Sequence, residues 1–134
     1  MTTKTKKPQG LTLKAAFEAE FARREAERRE REEAERRQQE QDLANAEALL
    51  AAVSADPGFL KRHQLTADRR RYTVSLDHKD FRIAAYFESG AASVTSADKR
   101  TTTPGLAAPR KQETAGSVED ALRIMAEFLA DETR

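Results

Sequence analysis

The sequence predicts an α+β protein, in which a long charged N-terminal helix precedes a small α-β-β-β-α two-layer domain with a three-stranded antiparallel sheet. Seventeen of the twenty-five residues from Glu18 to Asp42 are charged, and Glu and Arg recur one helical turn apart. Apolar and polar residues alternate in short segments between residues 71 and 96, as in strands of a half-buried sheet. From Ser117 onward, apolar residues recur at helical spacing.

These observations divide the chain of 134 residues into three parts. Residues 1–10 are predicted to be a disordered basic tail, and residues 11–55 a charged α-helical arm. Residues 56–134 are predicted to form the small α+β domain, with a flexible loop over 97–116. Charged residues make up 35% of the chain, against roughly 25% in average globular proteins. This excess is concentrated in the arm.

The arm is predicted to be one continuous helix because its charges complement one another. Ten Glu–Arg pairs are spaced i,i+4, and each such pair modestly stabilises a helix. Neither Gly nor Pro occurs between Leu11 and Asp56. A helix of about 40 residues would be about 60 Å long.

Pairing with another helix is predicted only for the ends of the arm. A coiled coil needs apolar residues at heptad positions a and d over several heptads. Between Ala22 and Asp42, only Ala26 and Ala34 are apolar, so the middle of the arm is expected to stand in solvent. Each end carries an apolar stripe that could form a coiled coil or fold back on the chain's own domain. The stripes are Leu13, Phe17 and Phe21 at one end and Leu43, Ala46, Leu50 and Val53 at the other.

A short helix and three strands are predicted to follow the arm. Asp56-Pro57 combines an N-cap residue with the residue that fits the first helical position, so a short helix is expected from Pro57 to about Gln64. Period-2 alternation of apolar residues, interrupted by turn residues, then predicts an antiparallel meander with one apolar and one polar face. The predicted strands are Arg71–Asp77, Phe81–Glu88 and Ala92–Ser96.

The last helix is predicted from its start signal and from its apolar stripe. Ser117-Val-Glu-Asp120 is a variant of the capping box with Asp in place of Glu. The apolar stripe suits packing against the apolar face of the sheet, which completes a two-layer unit. The stripe consists of Val118, Ala121, Leu122, Met125, Phe128 and Leu129.

The composition narrows the classes of function. The chain has no cysteine, which excludes disulfides, thiolate zinc sites and cysteine nucleophiles and fits a reducing compartment. No segment approaches the roughly 20 apolar residues of a membrane span, so we expect a cytoplasmic protein without membrane contact. No nucleophile elbow, phosphate-binding glycine loop or dinucleotide fingerprint occurs. We therefore expect no enzyme, no catalytic residue and no cofactor.

The two histidines, His63 and His78, are predicted to be structural or solvent-facing. His78 lies between carboxylates in the segment Asp77–Asp80, but this segment has the polar character of a hairpin turn. No second histidine or cluster of carboxylates nearby in the sequence completes a ligand set. We therefore expect no metal site.

The favoured functional hypothesis is a non-enzymatic protein-interaction, adaptor or regulatory module. Leu13, Phe17 and Phe21 form an apolar i,i+4,i+8 set with nothing local to bury them, which suits a partner's groove or self-association. Tyr86 is predicted to be a further contact, together with the arginines expected around the polar face of the sheet. Those arginines are Arg70, Arg71 and Arg82.

The alternative is a nucleic-acid-binding regulator that uses the basic residues between 61 and 111. Phosphate contacts require cations, and the ring of Tyr86 could stack on a base of RNA or DNA. A domain that senses a small ligand between sheet and loop is a third hypothesis. The candidate nucleic-acid contacts are Lys61, Arg62, Arg69, Arg70, Arg71, Arg82, Lys99, Arg100, Arg110 and Lys111.

Overall fold

The computed structural model describes residues 12–100 and 109–133, so the tail predicted over 1–10 lies outside the described residues. The architecture is α+β, with a long first helix, an antiparallel sheet and a C-terminal helix. The elements are α1 (Leu13–Val53), α2 (Pro57–Arg62), β1 (Thr66–Arg70), β2 (Thr73–Asp77), β3 (Phe81–Glu88), β4 (Ala91–Asp98), β5 (Pro109–Ala115) and α3 (Val118–Glu132). The chain divides into two units, Met1–Arg37 and Gln38–Arg134, so the division falls inside α1.

The sheet has five strands in the order β1-β2-β3-β4-β5, each antiparallel to the next. The prediction of three strands is therefore wrong in number, although β2, β3 and β4 correspond to the three predicted strands. The two additional strands lie at the edges, and β5 occupies part of the segment 97–116 that was predicted as a loop. Both are polar and carry charged side chains, a composition that protects edge strands from pairing with another chain. Arg71, predicted to begin a strand, lies in the β1–β2 turn with a φ of 53°.

The core of the second unit lies between one face of the sheet and the helices. The inward residues of β3, from Phe81 to Phe87, are buried at every second position. α3 packs against β3, β4 and β5. Ala46 and Leu49 of α1 are fully buried in the same core. The compact unit therefore begins within α1, whereas the sequence placed its start at residue 56.

The helices begin at side-chain caps. The Asp56 carboxylate accepts a hydrogen bond from the Phe59 N–H at 3.1 Å, with Pro57 in the first turn of α2. The Ser117 hydroxyl accepts from the Asp120 N–H at 3.0 Å at the start of α3. These caps confirm both predicted helix starts. α1 begins after Thr12, whose hydroxyl oxygen accepts from the Ala15 N–H at 3.1 Å.

The β3–β4 hairpin closes through Ser89 and Gly90. Both residues have positive φ, 53° and 85°, as a two-residue type I′ turn requires. The carboxylate of Asp42 in α1 accepts hydrogen bonds from both backbone N–H groups of this turn. Asp42 is only 4% exposed. An acidic residue of the charged helix is therefore a structural member of the second unit.

Candidate interaction surfaces

The first turns of α1 carry three exposed large apolar side chains, which we call the apolar set. Leu13, Phe17 and Phe21 are 86%, 62% and 55% exposed. The rings of Phe17 and Phe21 stack, with their centroids 5.8 Å apart. Contiguous apolar surface of this kind marks interaction sites more often than scattered exposed residues do.

The charged side chains around the apolar set pair with one another. The Lys14 ammonium lies 3.0 Å from the Glu18 carboxylate. The Glu20 carboxylate accepts hydrogen bonds from Arg23 and, at 2.8 Å, from Arg24. The bonds from Arg23 and then Arg24 lower the pKa of Glu20 to about 2. The charged groups of this segment are thus satisfied within the helix, whereas its large apolar side chains remain exposed.

The same pairing continues through the middle of α1. Several of the predicted i,i+4 pairs are formed, and i,i+3 pairs add to them. The i,i+4 pairs formed are Glu20–Arg24, Arg23–Glu27, Arg28–Glu32 and Glu33–Arg37, and the i,i+3 pairs are Glu20–Arg23, Glu25–Arg28 and Glu33–Arg36. Five of the seven arginines from Arg23 to Arg37 bind neighbouring carboxylates, so most of the positive charge in this part of α1 is compensated within the helix.

The face of the sheet opposite α3, which we call the outer face, is lined mainly by small polar residues. The strand register arranges its side chains in rows that cross all five strands. Tyr86 is the aromatic residue of this face, and it is 42% exposed. A shallow cleft of about 120 Å³ adjoins its ring, lined also by Glu88 and Ser93. The row that contains Tyr86 consists of Arg70, Thr73, Tyr86, Ser93 and Thr114.

Two of the predicted phosphate contacts are held by carboxylates of other elements. Arg69 lies 3.8 Å from Glu47 of α1 and on the core side of β1. The Lys99 ammonium lies 2.7 Å from the Asp77 carboxylate and donates to the His78 carbonyl oxygen at 2.9 Å. These two cations therefore hold neighbouring elements together.

Two further predicted contacts bind carboxylates of α3. Arg100 pairs with Asp98 at 2.9 Å and with Glu132 at 3.1 Å. Lys111, on the core side of β5, pairs with Asp131. The hydrogen bond from Arg100 to Asp98 raises the pKa of the guanidinium further. Like Arg69 and Lys99, these two side chains are already bound to carboxylates, which argues against a broad phosphate-binding surface.

The remaining predicted contacts are distributed over two regions. Lys61 and Arg62 lie in the last turn of α2, which is not part of the sheet. Arg71 lies in the β1–β2 turn, with its guanidinium 5.7 Å from the centroid of the Tyr72 ring. Arg110 belongs to β5, and its side chain lies outside the described residues. Arg70 and Arg82 are exposed on the outer face, so among the described cations these two share the face of Tyr86, and Arg71 lies in the turn that follows Arg70.

Both histidines line one polar cleft of about 280 Å³. The Nδ1 atom of His78 accepts a hydrogen bond from the Asp80 N–H at 3.0 Å, and its ring stacks on Phe81. His63 packs on the ring of Phe59. Sequence reasoning missed this juxtaposition, because only the folded hairpin brings together histidines fifteen positions apart. Over residues 12–100 and 109–133, no cluster of three side chains suited to a metal ion occurs.

An apolar cleft of about 200 Å³ lies between the end of α1, α2 and α3. Its walls include Val53, Phe59, Leu122 and Met125, with Leu76 of β2 also lining it. The sequence carried no signal for this cleft. We assign no occupant to it.

Comparison with protein family models, with curated proteins and with solved structures finds no match for this chain. Among the described helices, none has a stretch both long and apolar enough to cross a membrane.

Proposed function

We propose that this protein is a non-enzymatic interaction module whose apolar set docks in an apolar groove of a partner protein. The observation that carries this proposal is the exposure of Leu13, Phe17 and Phe21 on consecutive turns of one helix. Leaving this much apolar surface in water has a cost of roughly 25 cal/mol per Å² relative to burying it. A partner that covers the set recovers this free energy.

The spacing of the apolar set suits a groove. Each step of four residues advances about 6 Å along the helix axis and rotates the side chain by about 40°. The three side chains therefore form a shallow spiral about 12 Å long. Recognition of a helix in a groove uses anchors at similar separations, and the aromatic members supply most of the buried area.

A groove in a different protein fits the apolar set better than a second copy of this chain does. Helix pairing between two copies would need an apolar seam over several heptads. The stripe instead continues into Arg24 and Arg28, both paired with glutamates. Three large side chains per copy bury too little area to reach the roughly 1,000 Å² of a stable interface. A preformed groove encloses each side chain on several sides and buries more area per residue.

The rim of the partner's groove is proposed to be polar without a strong net charge. The residues around the apolar set carry both signs, with Lys14 and Arg23 offset by Glu18 and Glu20. Such a surface neither repels nor strongly attracts a charged partner, so apolar contact decides the affinity. A cytoplasmic location is part of this proposal, since the chain has no cysteine.

Photo-cross-linking from the apolar set tests the proposal. Phe17 is replaced by p-benzoylphenylalanine in the full chain, and Ala19, exposed and nearly opposite on the helix, carries the probe in the matched control. We expect the probe at Phe17 to label one protein at residues that line an apolar groove, and the probe at Ala19 not to label it. Labelling should disappear when Leu13→Ser and Phe21→Ser are added.

Two outcomes would contradict the proposal. Cross-links from Phe17 only to the second unit of the same molecule would mean that the apolar set serves the fold. Cross-links only to another copy of this chain, together with a doubled mass in light scattering, would make the set a self-association surface.

A further inference from the structure

We propose that the outer face of the sheet binds single-stranded nucleic acid, with one base on the Tyr86 ring and the adjacent phosphates at Arg70, Arg71 and Arg82. This inference goes beyond the proposed function, because it concerns a different surface in the second unit. It also replaces the broad basic surface predicted over residues 61–111 with a smaller site.

The exposed ring of Tyr86 is surrounded mainly by short side chains. Tyr86 is flanked across the sheet by Thr73 and Ser93, and along its own strand the neighbouring side chains on this face are Ala84 and Glu88. Of these four side chains, Glu88 alone is long, and it lines the cleft beside Tyr86, which stays 42% exposed. An accessible aromatic face accepts any base by stacking, which contributes substantially to affinity for single strands.

The cations lie within reach of the backbone of a strand whose base stacks on Tyr86. Arg70 is two strands from Tyr86 in the same row, about 10 Å at strand spacing. Arg82 precedes Tyr86 by four residues in β3, about 13 Å along the strand. Arg71 follows Arg70 into the turn. Long arginine side chains shorten both distances to the backbone of a bound strand.

The carboxylates of the outer face do not cancel these cations. Asp77 is bound by Lys99 at 2.7 Å, so this pair adds no net charge. Asp68 lies 3.9 Å from Arg70, a loose contact that leaves the guanidinium highly exposed. Among the described side chains of the face, Asp68 and Glu88 then stand against Arg70 and Arg82, and Arg71 in the adjoining turn adds one further positive charge.

The cleft beside Tyr86 provides polar groups for the edge of a base. The Glu88 carboxylate can accept from an exocyclic amino group, and the hydroxyls of Ser93 and Thr114 can donate or accept. The Gln112 side-chain amide donates to the Ser93 hydroxyl at 3.0 Å and fixes its position. In a duplex these base faces and edges are stacked and paired, so an unpaired strand is the form that fits.

Fluorescence anisotropy with labelled oligo(U) and oligo(dT) of about 12 nucleotides tests this site in the full chain. We expect a Kd on the order of 10–100 µM at about 50 mM salt, with a log–log salt slope near −2 from three phosphate contacts. Tyr86→Ala should weaken binding by about 5- to 150-fold, whereas Tyr86→Phe retains the ring and should bind as the native chain does. Arg70→Gln should reduce the slope by about 0.7, and Lys61→Gln, on α2, should leave it unchanged.

The absence of a complex with either probe at about 50 mM salt would overturn the inference. So would equal binding by native chain and Tyr86→Ala, or a loss of affinity in Lys61→Gln as large as that in Arg70→Gln. Circular dichroism establishes that each variant is folded. Substitution of the apolar set by serine should leave oligonucleotide binding intact. A loss of oligonucleotide binding can therefore be distinguished from a failure of the proposed function.

Discussion

The Asp42 carboxylate accepts a hydrogen bond from the Gly90 N–H at 2.9 Å, across 48 positions of sequence. Its second oxygen accepts from the Ser89 N–H at 3.0 Å, and the Gln38 side-chain amide donates to the first oxygen at 3.2 Å. A single buried carboxylate of the charged helix thus binds both donors of the β3–β4 turn. Residues of α1 from Gln38 onward are therefore structural members of the second unit.

Replacing Asp42 should destabilise the second unit. Asp42→Ala removes two charge-assisted hydrogen bonds and leaves two turn N–H groups without their acceptor, so we expect a loss of about 2–4 kcal/mol in the free energy of unfolding. Asp42→Asn keeps one acceptor oxygen and should lose less. Urea denaturation monitored by circular dichroism measures both. Glu40→Ala, at an exposed position of the same helix, is the control and should stay within about 0.5 kcal/mol of the native chain.

Two glycine substitutions should have different effects on stability. Gly90 has a φ of 85°, and a Cβ there would meet Gln38 only at an ordinary 3.6 Å. The cost of Gly90→Ala is therefore backbone strain, about 1–2 kcal/mol. Gly58→Ala lies in α2, where Ala is preferred by about 1 kcal/mol, and it should be neutral or stabilising. Equal effects of the two substitutions on the urea midpoint would contradict the turn assignment.

The central strands and all three helices could be predicted from the sequence because their patterns are strong and local. β3 alternates apolar and polar residues over eight positions, and α2 and α3 begin at recognisable caps. The edge strands have no such pattern. β1 (Thr66–Arg70) places Ala67 and Arg69 toward the core, and β5 points Lys111 and Glu113 to that side. Charged side chains that point inward at an edge strand discourage pairing with another chain. They also remove the alternation of apolar and polar residues by which a strand is recognised in a sequence.

The candidate sites could be predicted only in part. The apolar set was identifiable because its three large residues stand in a segment with no other large apolar residues. The pairing of Arg69, Lys99, Arg100 and Lys111 depends on tertiary neighbours, so a count of basic residues overestimated the available positive surface. Asp42 carried a weak signal, since it lies four and seven residues before the buried Ala46 and Leu49, on their stripe.

The second unit should fold without the first. A chain comprising residues 38–134 retains Asp42, Ala46 and Leu49, and should unfold cooperatively on heating. A chain comprising residues 56–134 lacks these core contacts and should show no cooperative transition, since burying Leu49 alone is worth about 2–5 kcal/mol. Circular dichroism at increasing temperature distinguishes the two. Cooperative unfolding of the shorter chain would show that α1 is dispensable for the core.

The carboxyl group of Glu20 should titrate well below its usual value of 4.5. Its pKa of about 2 arises from the hydrogen bonds of Arg23 and Arg24. Because the pKa is lowered in the helix, the pairing stabilises the helix above about pH 4.5 and is lost as the pH falls toward 2. Carbon-detected NMR titration at low salt measures the pKa directly.

The control for this titration is the double variant Arg23→Gln, Arg24→Gln, in which the pKa should return toward 4.5. Because the pair is exposed, about 1 M salt should shift the native value in the same direction. A native pKa near 4.5 at low salt would show that these ion pairs are not populated in solution.

The most direct test of the proposed role of the apolar set is urea denaturation of the variant Leu13→Ser, Phe17→Ser, Phe21→Ser, followed through the fluorescence of Tyr72 and Tyr86 in the second unit. If the apolar set is available to a partner, the fold does not depend on it. The free energy of unfolding should then stay within about 0.5 kcal/mol of the native value. A loss of several kcal/mol would mean that these side chains stabilise the protein's own fold, and the proposed binding role would have to be abandoned.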